Sequence, residues 1–143
     1  MSRTAPQLSL RQRMSIDAHF QTLRFNFSML LGDTERFEQF FTLHGQAQRV
    51  QGMTARISAI RGALSDWILS IEEKINTIEE ALTFLEQVAA NVKNEYMSTL
   101  DENSAHGEDI WDEFVSYEDT LYDKRTKVDD VKRLMAQAKE VKY

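Results

Sequence analysis

The sequence predicts an all-α protein, an elongated coiled coil or helical hairpin in which a short N-terminal helix packs on a long central one. Three observations carry that expectation. Apolar residues recur at spacings of three and four through Ile57, Ile60, Leu64, Trp67, Ile71, Ile75, Ile78, Leu82, Leu85, Ala89, Val92, Tyr96 and Leu100. That period puts a narrow stripe along one face of a helix, which other helices must cover. Helix breakers are scarce, with one proline and five glycines in 143 residues, whereas a sheet protein needs turn chemistry every several residues. The clearest loop, 101–107, joins two stripes of similar length, as in an antiparallel hairpin.

The elements follow in order. Residues 1–8, containing Pro6, read as a flexible tail. A first helix is expected over 9–31, with Ile16, Phe20, Leu23, Phe27 and Leu30 on one face. Gly32-Asp33-Thr34 reads as a stop and restart, since Gly suits a left-handed C-cap and Asp or Thr an N-cap. The long central helix is expected over 34–101, opening on Phe37, Phe40 and Phe41 and continuing through Gly45 and Gly52. Each glycine there costs about 1 kcal/mol relative to alanine. Two successive spacings of four at Trp67–Ile71–Ile75 form a stutter that unwinds a supercoil locally.

After a loop at 102–107, the last helix is expected over 108–141. Its early acids Glu108, Asp109, Asp112 and Glu113 suit the positive end of a helix dipole. Ile110, Phe114, Tyr117, Leu121, Val128, Val131, Met135 and Ala138 form its stripe, with Lys124 in a seam position where lysine snorkels or fixes register. This helix should return along about 71–100, bringing Phe114 near Ala89 or Val92. The whole is a single helical domain, 1–143.

Composition narrows the function classes. A formal charge of -6 disfavours non-specific nucleic-acid binding, and no run approaches the roughly 20 apolar residues of a membrane span. The absence of cysteine excludes disulfides and thiolate metal sites. Residues 1–16 hold Arg3, Arg11 and Arg13 without an acid, a pattern shared by transit peptides and by solvated basic tails, and the latter is the expectation.

No Gly-rich phosphate loop, HExxH, CxxC or GxSxG is present, and His19, His44 and His106 lie far apart in sequence. The acidic pairs Glu72-Glu73, Glu79-Glu80 and Asp129-Asp130 read as outward faces, with Lys74, Lys127 and Lys132 as intrahelical partners. No catalytic, metal or cofactor residue is assigned, and no cofactor is expected. Trp67 and Trp111 read as core or interface anchors. Phe25, Phe27, Phe37, Phe40 and Phe41 are expected to cluster where the first helix packs on the second, with a partner's docking surface as the other reading. The candidate partner-binding residues are Phe40, Ile57, Ile60, Leu64, Trp67, Ile71 and Ile78.

Between Gln39 and Phe84 the chain carries Gln39-Phe40, Gly45-Gln46, Gly62, Trp67, Ser70-Ile71-Glu72, Thr77-Ile78 and Ala81-Leu82, followed by the aromatic Phe84. In order and spacing this stretch resembles subunit one of the biogenesis of lysosome-related organelles complex, a small helical family also found in the related lysosome-positioning complex. Gly45, Gly62 and Trp67 are the informative positions, because heptad composition does not demand them. The chain departs from that pattern in its mildly basic, Phe-rich N-terminal helix and in the added segment 108–141. The resemblance implies a cytoplasmic, non-catalytic subunit of a hetero-oligomeric trafficking complex, peripheral on endosomal or lysosomal membranes through its partners.

The expected function is thus a non-catalytic coiled-coil subunit of a hetero-oligomeric assembly of helical proteins, with self-association as a further mode. The alternative is a helical stalk or chaperone of a bacterial secretion or flagellar export apparatus. A helical-bundle enzyme or ligand carrier would need inward polar groups, and beyond Lys124 almost none stands out.

Overall fold

The computed structural model describes residues 9–65 and 70–139. The all-α class holds, and no strand occurs among the described residues. Helix α1 spans Leu10–Phe41, a wide turn follows at Thr42–Gln46, and then come the single-turn α2 (Ala47–Val50) and α3 (Met53–Ser65). Helix α4 spans Ile71–Glu95, and a short 3-10 turn, Met97–Thr99, leads to α5 (Ala105–Lys139).

The N-terminal helix is long, not short. Ser9 caps it by a reciprocal pair of bonds with Gln12, its hydroxyl accepting from the Gln12 amide at 3.1 Å. It runs through Gly32-Asp33-Thr34 without the expected break. The buried residues Ile16, Phe20, Leu23, Phe27, Leu30, Thr34, Phe37 and Phe41 recur at 4-3-4-3-4-3-4. Burial along that unbroken stripe outweighs the roughly 1 kcal/mol that Gly32 costs a helix. Thr34, expected to cap a new helix, is a core position.

The expected continuous helix over 34–101 is instead divided among the end of α1, α2, α3 and α4. The backbone turns left-handed at Gly45 (φ 80°) and again at Gly52 (φ 87°), a region that side-chain-bearing residues rarely adopt. Between them the chain reverses, so that α3 packs antiparallel on α1. The Met53 amide donates to Glu38 Oε1 at 3.0 Å across that turn. The stripe from Ile57 onward is then used twice, first in α3 and again in α4. Helix α4 opens at Ser70, whose hydroxyl accepts from the Glu73 amide at 3.1 Å. Trp67, the first residue of the stutter, lies outside the described residues.

The hairpin of α4 and α5 forms as expected, with its register set by ion pairs. Lys132 meets Glu79 at 2.7 Å, Arg125 meets Glu86, and Lys93 meets Glu118 at 3.7 Å. Each seven-residue advance on α4 is matched by a seven-residue retreat on α5. On this register Phe114 lies level with the end of α4 beyond Val92, more than a turn nearer the loop than the expected meeting with Ala89 or Val92. Lys132, expected to pair within its own helix, bridges helices instead, whereas Lys127 does pair within α5, with Asp123 at 2.9 Å.

Helix α5 also lies antiparallel on α1. Lys124 Nζ donates to Asn26 Oδ1 at 3.2 Å, Arg36 pairs with Glu113, and the Thr34 and Tyr117 hydroxyls share a 2.9 Å bond. The order of directions, α1 up, α3 down, α4 up and α5 down, makes a four-helix bundle whose first and last helices adjoin. One core runs through it, from Phe20 and Val131 near one end to Val50, Met53, Met97 and Ile110 near the other.

Candidate interaction surface

The seven candidate partner-binding residues divide sharply. Ile57, Leu64 and Ile78 are buried in the chain's own core, while Phe40, Ile60 and Ile71 are half-buried and pack against it. Trp67 lies outside the described residues. These side chains serve the intramolecular seams α1–α3, α3–α4 and α4–α5, so the described fold does not offer Ile57, Leu64 or Ile78 to another chain.

The aromatic cluster lies at the end of the bundle where α1 turns. Phe37 stacks on Tyr117 with centroids 4.2 Å apart, and Phe41 sits edge-on to Phe114 and Tyr96. Burial pushes the Tyr117 hydroxyl well above the usual phenol range, against the opposing effect of its bond to Thr34. Phe27, Phe37 and Phe41 are buried as expected. Phe25 is not, being 66% exposed on the opposite face of α1.

That exposure belongs to a pattern missed in the sequence. Leu10, Met14, Phe25 and Met29 are exposed large apolar residues, and with Ala18, Gln21 and Gly32 they recur at 4-4-3-4-4-3. At about 100° per residue this second stripe faces directly away from Ile16, Phe20, Phe27 and Thr34. The signal was readable as a second helical period in phase opposition to the first. Two smaller patches accompany it. Leu43, 86% exposed, stands in an open groove of about 580 Å³ lined also by Glu38, Gln39, Thr42, Ala47, Gln51 and Gly52. Val115 and Tyr122 lie seven residues apart on one exposed line of α5.

The polar groups of the interior are structural in kind. Lys124 keeps only 7% of its surface, and its ammonium reaches Asn26 and, at 3.3 Å, Asp123. This fixes the α1–α5 register. Arg125 reaches Glu86 and Thr83 of α4, and its bond to Glu86 holds its guanidinium above the ordinary arginine value. His44 and His106 approach to 5.6 Å at the aromatic end, but no group of three or more His, Cys, Asp or Glu is placed to hold a metal ion among the described residues. No described helix is long and apolar enough to cross a membrane.

No protein-family model matches the chain, and no curated protein or solved structure shows significant similarity to it.

Proposed function

We propose that the chain is a non-catalytic helical subunit of a larger, hetero-oligomeric assembly. The observation that carries this reading is the second apolar stripe on α1. A bundle whose core is already closed still presents Leu10, Met14, Phe25 and Met29 to water along one line of a 32-residue helix. Scattered apolar residues on a surface are ordinary, but two pairs of them aligned on one face of a helix, with Ala18 and Gln21 between, mark a contact face. The resemblance over Gln39–Phe84 supports assigning the assembly to endosomal and lysosome-related organelle trafficking, with the chain cytoplasmic and peripheral on endosomal or lysosomal membranes through its partners.

Affinity purification of the tagged full chain from its own cells tests this reading, read together with the variant Phe25→Glu. The expected result is recovery of other helical trafficking subunits with the wild type and their loss with Phe25→Glu. Recovery of secretion or export components overturns the trafficking assignment. Partner recovery unaffected by Phe25→Glu overturns the role of α1.

A further inference from the structure

We infer that the outer face of α1 pairs with a second copy of itself, antiparallel, about a two-fold axis between Gln21 and Thr22. The inference rests on reading that stripe as the contact face that builds the assembly and names its occupant, so that other subunits join the paired chain and are lost with the pairing in Phe25→Glu. Under this symmetry Leu10 falls within one residue of level with Gly32 of the second copy and Phe25 faces Ala18, so that large side chains meet small ones there, while Met14 faces Met29. Each contact occurs twice, as an isologous interface requires. The facing segment, Leu10–Gly32, is about 35 Å long.

Charge follows the same symmetry. On one flank of the stripe Arg11 comes within one residue of level with Asp33 of the second copy, and on the other Asp17 comes within two residues of level with Arg24, offsets that these side chains span. In an antiparallel pair each flank faces the same flank of the second copy, so both flanks are complementary in this register. None of these four residues is in an ion pair among the described residues. Such pairs choose orientation and partner more than they add affinity.

Gly32 gives an independent observation. It sits inside α1, where glycine is the costliest residue but proline, yet a Cβ placed there would meet nothing within 4 Å. The same holds of Gly62 in α3, but Gly32 lies on the exposed stripe, where it leaves room for a leucine arriving from a second chain to approach the helix backbone closely.

Sedimentation equilibrium of the purified full chain tests the pairing. The expected mass is twice the 16.6 kDa of one chain. Phe25→Glu should give the single-chain mass with an unchanged helical circular dichroism spectrum. Asp17→Arg should weaken the dimer by about tenfold, equivalent to about 1.4 kcal/mol, and combining it with Arg24→Asp should restore it. A single-chain mass for the wild type overturns the inference, as does a dimer that survives Phe25→Glu or is not rescued by the charge exchange. Binding of the single chain to phosphatidylserine–phosphatidylcholine vesicles, lost in Phe25→Glu, overturns it in favour of a membrane face. A monomeric wild type that still recovers helical partners through Phe25 overturns the pairing alone and leaves the subunit reading standing.

Discussion

Thr34 and Tyr117 show how one buried polar contact joins two helices distant in sequence. Their hydroxyls meet at 2.9 Å inside the bundle, where an unsatisfied group costs about 1–3 kcal/mol. Tyr117→Phe should lower stability toward the smaller end of that range, because the Thr34 hydroxyl can turn to a carbonyl of its own helix. Thr34→Val combined with Tyr117→Phe should cost less than the two single changes together, as urea unfolding of the four proteins in the cycle would register. The same phenol makes a pH prediction. Its folded pKa is raised above the ordinary value of 10.0. The stability it contributes is therefore fully present below pH 10 and lost as pH rises beyond it, where the unfolded chain ionises and the folded one resists. The wild type should lose its advantage over Tyr117→Phe on raising the pH from 9 to 11, measured as the difference in melting temperature between the two.

At the scale of elements, the helical period was legible and the breaks were not. Nearly every residue of the stripes read in the sequence is core, including Ile75, Ile78, Leu82, Leu85 and Val92 on α4. What misled was punctuation. Gly32-Asp33-Thr34 has the chemistry of a helix end, but counting Thr34 as a core position keeps the period intact, and α5 covers it. Gly45 and Gly52 have weaker local chemistry, and the reversal there depends on α3 finding a groove against α1, which no local pattern contains. The α4 start was readable, because Ser70 with Glu73 three residues later is an N-terminal capping pattern. The outer stripe of α1 escaped notice because one apolar period was enough to justify the helix. Gly45→Ala or Gly52→Ala should destabilise the fold by roughly 1–2 kcal/mol, whereas Gly62→Ala, in the interior of α3 with open space around it, should stabilise it by up to about 1 kcal/mol. Opposite shifts in denaturation midpoint would distinguish a reversal held by left-handed glycines from a continuous helix, in which all three changes would stabilise.

Across the whole molecule, the four helices are unequal in reach. Helix α3 has 13 residues against the 32 of α1 and 35 of α5, so it covers only part of the bundle's length. The aromatic end, with Phe37, Phe41, Phe114 and Tyr117 beside Val50 and Met53, has the bulkiest packing. Local opening should follow that gradient. Amides of 34–41 and 110–121 are expected to exchange last in hydrogen–deuterium exchange, and those of 10–16 and 131–137 first. Uniform protection along α1 would mean that α3 contributes little to holding it.

The adjacency of α1 and α5 ties the fate of the first helix to the last. On the ribosome, α5 begins only after α1 and about sixty further residues have been joined. Until α5 arrives, Phe20, Leu23, Phe27 and Leu30 lack the wall that shields them in the finished bundle, while Leu10, Met14, Phe25 and Met29 are uncovered on the other side. A nascent α1 is thus apolar on two opposite faces, and a chain cut short before α5 would be released with that helix bare. Closing contacts so distant in sequence is slow. Chaperone engagement during translation should therefore peak while α4 is emerging and fall once α5 has cleared the exit tunnel.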